Sequence, residues 1–74
     1  MAGAARIIHL AGGNFGVAEV LINLSNLDRL DLIDKIENLS LQKGGRLWVL
    51  YKDQCGQDLA KLVVLLEEME TADC

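Results

Sequence analysis

The sequence predicts an all-α protein: three to four short helices packed as one small domain that assembles with copies of itself. Three observations point there. Aliphatic residues recur at helical spacing along most of the chain. Glycine breaks at Gly12-Gly13, Gly44-Gly45 and Gly56 cut that pattern into helix-length pieces, with no proline anywhere. And 51% of only 74 residues are hydrophobic, few of them aromatic. A chain this short buries about 60% of the surface its unfolded form exposes. Folds of this size gain stability from disulfides, a metal or a partner subunit.

Residues 1–13 are small and apolar apart from Arg6, His9 and the bulky Ile7, Ile8 and Leu10. They read as an N-terminal arm, open to a short strand or a short helix, ahead of a single helical domain over 14–74. Asn14 is a good N-cap. After it Val17, Val20, Leu21 and Leu24 fall at i, i+3, i+4 and i+7, one helical face. Gly16 weakens the first turn of that helix. Ser25 and Asp28 then have capping-box spacing, which predicts a second helix from near Asn26. Its stripe is Leu27, Leu30, Ile33, Ile36 and Leu39, with Asp31 and Lys35 paired at i, i+4 on the outer face. Gly44-Gly45 supplies its C-terminal break.

The segment 46–55 is ambiguous. Arg46 to Lys52 is rich in β-formers and reads as a buried strand. Read as a helix, it places Leu47, Leu50 and Tyr51 on one face, and Trp48, Tyr51 and Cys55 at i, i+3, i+7. Helix is favoured because a lone strand needs partners and only residues 6–10 offer one. Beyond Gly56, Gln57-Asp58 opens the last helix, whose stripe is Leu59, Leu62, Val63, Leu66 and Met69. Val64 and Leu65 lie outside that stripe, so the face is wide enough for more than one neighbour. Glu67, Glu68 and Glu70 read as a solvated face.

Composition excludes several classes of function. Seven basic residues stand against eleven acidic ones, for a net charge of −4, and there is no basic run. Duplex nucleic acid needs many phosphate contacts and is disfavoured, whereas a compact phosphorylated ligand needs only a local site. The apolar run after Arg6 is too short for a signal-peptide core or a bilayer span. The two cysteines, Cys55 and Cys74, form no CxxC pair, so free thiols in a reducing, cytoplasmic compartment are expected. His9 is the single histidine, too few ligands for a structural zinc. No cofactor is expected. Cys55 has no neighbouring base in sequence and reads as a small buried thiol. The carboxylates Asp28, Asp31, Asp34 and Glu37 follow a helix's polar face rather than a cleft. The expected protein is therefore not an enzyme.

What remains is binding. Helix N-termini approached through glycines make anion sites. Gly12-Gly13-Asn14 is one candidate. Gly44-Gly45 is another, flanked by Lys43 and Arg46, with Trp48, Tyr51 and Lys52 close behind. Phosphate oxygens suit amides and cations, and a base suits an aromatic or guanidinium plane. The expected ligand-binding set is Gly12, Gly13, Asn14, Lys43, Gly45, Arg46, Trp48, Tyr51 and Lys52. The plainer reading makes both glycine pairs helix breaks, with Trp48 and Tyr51 in the core. Neither Gly pair carries a phosphate-loop or dinucleotide fingerprint.

Two stretches carry a resemblance: Gly13-Asn14-Phe15-Gly16 opening a Leu/Val helix, and Trp48-Val49-Leu50-Tyr51-Lys52-Asp53-Gln54-Cys55-Gly56-Gln57-Asp58 leading into a terminal apolar helix. The pattern, over residues 13–66, resembles small helical accessory proteins of tailed phages. In particular it resembles the phage sponge proteins that counter cyclic-oligonucleotide-based antiphage signalling (CBASS). Phe15 stands where Pro would fit that pattern. The resemblance implies a helical homo-oligomer, acting in the host cytoplasm, that sequesters cyclic di- or trinucleotides at subunit interfaces without cleaving them. It suggests Arg46, Tyr51 and Lys52 as ligand contacts by residue type. The alternative is a protein–protein interaction module, an inhibitor or adaptor that caps a partner with an apolar helical face.

Overall fold

The computed structural model describes residues 3–70. Five helices and one 3-10 turn (Lys43–Gly45) are present among them, and no strand: α1 (Ala4–Ala11), α2 (Phe15–Asn26), α3 (Leu30–Asn38), α4 (Arg46–Val49, prolonged by a π-helical segment, Leu50–Gln54) and α5 (Leu59–Glu68). The all-α expectation holds, with one more helix than the upper count. The extra helix is α1. The boundary drawn at residue 13 between an arm and a domain falls between two helices that share one core, because Leu10 and Ala11 are buried against the rest. α2 is central and meets α1, α3 and α4, while α5 closes the far side of α3 and the π-segment.

α2 forms as its sequence dictates. The Asn14 side-chain oxygen accepts from the Val17 amide at 3.1 Å, and Val17, Val20, Leu21 and Leu24 are fully buried. Its end is not where the capping-box spacing put it. The helix runs to Asn26, and Asp28 turns left-handed at φ 58°. The Arg29 amide then donates to the Leu24 carbonyl, and the Asp28 amide to that of Ser25, both at 3.0 Å. This is a Schellman end, with Asp doing what Gly does more often. Ser25 and Asp28 therefore close a helix instead of opening one. α3 starts at Leu30 without a side-chain cap, and Leu27 is left exposed.

The buried face of α3 is accordingly Leu32, Ile33 and Ile36, with Leu30 and Leu39 only half-buried. α3 ends in the same way, well before Gly44. Ser40 takes φ 56°, its amide donates to the Glu37 carbonyl, and the Leu41 amide donates to that of Ile36 at 2.9 Å. The expected Asp31–Lys35 pair is replaced. Arg29 donates two bonds to Asp31 and one to Glu67 of α5, and the Lys35 ammonium donates to the Glu67 carbonyl at 3.3 Å. Arg6 ties α1 to Asp34 and Glu37 of α3. These exposed pairs orient helices more than they stabilise them.

Residues 46–54 are helical, as favoured, but not uniformly so. The Cys55 amide reaches back to the Leu50 carbonyl at 3.1 Å, a five-residue step. In an α-helix of about 3.6 residues per turn, positions four apart drift steadily around the axis. The wider π turn offsets that drift, so Leu47, Tyr51 and Cys55 all face the core. Gly56 and Gln57 are left-handed, and Asp58 caps α5 by accepting from the Ala60 amide at 3.0 Å. Asp58 is thus the N-cap of α5. Leu62 and Leu66 are its fully buried pair. Cys74 lies outside the described residues.

Candidate functional site

The two glycine breaks, about thirty positions apart in sequence, border one cleft. A cleft of about 520 Å³ is lined by His9, Leu10, Ala11, Gly12 and Asn14 on one side and by Gln42, Lys43, Gly44 and Gly45 on the other, with Glu37 between. Local chemistry explains the approach. Gly12 is the left-handed C-cap of α1, so the chain turns sharply into Asn14, the N-cap of α2. Gly44 and Gly45 are both left-handed, at φ 64° and 72°. A side chain at Gly45 would place its Cβ 3.0 Å from the Asn14 side-chain nitrogen. Close approach and positive φ together require glycine there.

Of the nine expected site residues, Gly12, Asn14, Lys43 and Gly45 line this cleft. Gly13 sits between two of them and is exposed, but does not line it. The other four do not join the site. Tyr51 is in the core. Trp48 lies against α2, where a Cβ on Gly16 would stand only 2.6 Å from its ring carbon Cδ2. Their rings pack on each other, tilted, with centroids 5.8 Å apart. The plainer reading of Trp48 and Tyr51 is the one the fold adopts. Tyr51 fills space in the core, and Trp48, half-buried, packs against that core. Lys52 is exposed and borders neither this cleft nor the groove described next.

Arg46 lies on the other side of the Gly44-Gly45 turn. It borders an apolar groove of about 430 Å³ shared with Leu41, Gly44, Val49, Leu50 and Met69.

Several amides at and beside the two glycine breaks are spent inside the fold. Gly12 donates to the Ile8 carbonyl, Asn14 to Ala11, Val17 to the Asn14 side chain and Lys43 to Ser40, all at 3.0–3.2 Å. Arg46 donates to Lys43. Turn and cap geometry consume them. Lys43 has no ion pair among the described residues, and Glu37 is engaged by Arg6 at 3.0 Å. His9, Asn14, Gln42 and Lys43 are the other polar residues that line the cleft. The carboxamide oxygen of Gln42 is buried without a hydrogen-bond partner.

His9, Gln42 and Glu37 are the polar lining residues that the sequence did not point to. His9 was set aside as part of a separate arm. Its signal was the helical spacing of Ile7 with Leu10 and Ala11, which makes α1 part of the domain.

Cys55 is a buried thiol whose pKa is pushed up by burial, with Asp58 adding to the rise. That keeps it in the less nucleophilic, protonated form. Among the described residues, no group of three or more His, Cys, Asp or Glu side chains is placed to share a metal ion, and no helix is long and apolar enough to cross a membrane.

Comparison with protein-family models, with curated proteins and with solved structures finds no match to this chain. The resemblance to the phage sponge proteins rests on the residues quoted for it.

Proposed function

We propose that this protein is a non-catalytic, homo-oligomeric binding protein that holds a compact phosphorylated ligand in the cleft between its two glycine pairs, with a cyclic oligonucleotide messenger as the ligand class. One observation carries the reading: Gly12, Asn14, Lys43 and Gly45 line a single cleft, and Lys43 has no ion pair among the described residues. The cation, the imidazole and two carboxamides suit phosphate oxygens and sugar or base hydrogen-bonding groups. Trp48 and Tyr51 play no part in this version of the site. Ring contact with a base falls to His9 or to a neighbouring copy. Sequestration in a phage-infected cytoplasm, as the sponge resemblance implies, is the biological role that fits.

The test is a melting series with cyclic di- and trinucleotides. Binding raises the melting temperature, and the nucleotide is recovered intact after denaturation. Lys43→Ala removes most of the shift, while Lys52→Ala leaves it. No shift with any cyclic nucleotide sinks the ligand assignment.

The groove beside Arg46 favours a second reading, an adaptor that caps a partner protein with an apolar face. A monomer that binds no cyclic nucleotide would favour it.

A further inference from the structure

We infer that binding in the cleft is coupled to a proton on His9, so that the site holds an anion more tightly in mildly acidic than in mildly alkaline solution. The inference rests on the reading of the cleft as an anion site and adds the regulation of that site.

The first argument is the charge around the cleft. Among the residues that line it, only His9, Glu37 and Lys43 can ionise. Glu37 is committed. The Arg6 guanidinium, one turn before His9 on α1, donates to it at 3.0 Å and pairs with Asp34 as well. Lys43 makes no ion pair among the described residues. His9 makes neither an ion pair nor a side-chain hydrogen bond among them. α2 contributes Asn14 and the turn contributes Gln42, whose carboxamides do not titrate; α4 and α5 contribute nothing to the lining.

The second argument is which of these charges can change. Carboxylate, guanidinium and ammonium groups ordinarily keep one charge from about pH 5 to pH 8, and imidazole is the side chain that changes within that range. With a neutral imidazole the cleft has Lys43 as its one free cation among the described residues. With a protonated one it has two. A protonated ring also donates from both nitrogens, where the neutral ring donates from one. His9 stands in the last turn of α1, and the carbonyl end of a helix favours a cation. An anion in the cleft favours the imidazolium, and by linkage the imidazolium favours the anion by the same factor. The sign follows. The tighter affinity is complete while the ring is protonated with or without ligand, and it is lost as pH rises until the bound form too has shed its proton.

The experiment is calorimetric titration of the full chain with cyclic di-AMP and with a cyclic triadenylate, at about pH 6 and about pH 8. Both probes are phosphodiesters, so neither gains the second charge that a phosphate monoester gains at about pH 6. The native protein binds about five- to tenfold more tightly at the lower pH, the low end for coupled sites because His9 is exposed. Lys43→Ala weakens binding at both values. His9→Gln binds with one affinity at both, and His9→Arg binds tightly at both. His9 is the single histidine, so its ring protons are read directly by NMR, and ligand moves their titration midpoint to higher pH. Circular dichroism on each variant checks that the helices are kept. Equal native affinity at the two pH values overturns the coupling and leaves the cleft reading standing. A pH dependence that persists in His9→Gln overturns the assignment to His9. No binding of either probe at either pH overturns the ligand assignment, and this inference with it.

Discussion

The polar cleft and the apolar groove lie on opposite sides of one turn, and Gly44 borders both. Lys43 and Arg46 are three residues apart and read in sequence as one basic site. The left-handed glycines between them send Lys43 to the cleft and Arg46 to the groove. Two like charges close in sequence thus acquire different neighbours: carboxamides and an imidazole in one case, aliphatic side chains in the other. Proximity along the chain says little about a shared site when positive φ intervenes.

Cleft and groove rest on one buried residue. Leu47 follows the turn, is fully buried, and its amide donates to the Leu41 carbonyl at 2.7 Å. Leu47→Ala should cost about 2–5 kcal/mol. That is a large share of the stability of a domain this size, so cleft and groove should be lost together, read as a collapsed denaturation midpoint. Gly16→Ala is the next effect. A methyl there meets Trp48 Cδ2 at 2.6 Å, at the base of the ring where it cannot simply swing aside. Helix propensity returns about 1 kcal/mol, but overpacking costs about 1–3 kcal/mol. A lowered melting temperature is expected, and a raised one would show that Trp48 yields freely.

A finer test separates the two glycines of the turn. Gly44→Ala meets open space and suffers only the left-handed backbone penalty of about 1–2 kcal/mol. Gly45→Ala adds displacement of Asn14, the cap of α2. It should therefore be the less stable of the two, and the more damaging to ligand-induced stabilisation. Equal losses would mean that the Gly45–Asn14 contact does not matter to the cleft.

The smallest effect is electrostatic. The Arg29 guanidinium, by its hydrogen bonds, holds the Asp31 carboxyl below its ordinary pKa. The folded value is the lower one, so the pair's contribution is complete above the ordinary carboxylate range and is lost as pH falls through the depressed value. Asp31→Asn should lower the melting temperature slightly at neutral pH and match the parent in strong acid. A difference that persists in acid would remove the ion pair as its cause.

Much of the fold was legible beforehand, and the failures share a cause. α2 and its cap read correctly, since a side-chain oxygen three residues before an amide is a local matter. The stops at Asp28 and Ser40 were not legible, because Asp and Ser favour helix starts as well as tolerating a left-handed end. Ser25 and Asp28 fit a box equally well whichever helix they serve. Half of the candidate site was visible in the glycine pairs. His9 and Gln42 were not, because their relevance depends on α1 folding back onto the core.

The sequence by itself pointed to an aliphatic-rich, mainly helical chain with breaks at Gly12-Gly13, Gly44-Gly45 and Gly56. Periodicity and composition are enough for that, because burial of one helix face is dictated residue by residue. Only the tertiary structure decided that Gly12 and Gly45 share a cleft, that Trp48 rests on Gly16, and that Lys43 and Arg46 part company. Those outcomes follow from helix ends and crossing contacts, where a few degrees of backbone turn redirect everything downstream and no local pattern records the result.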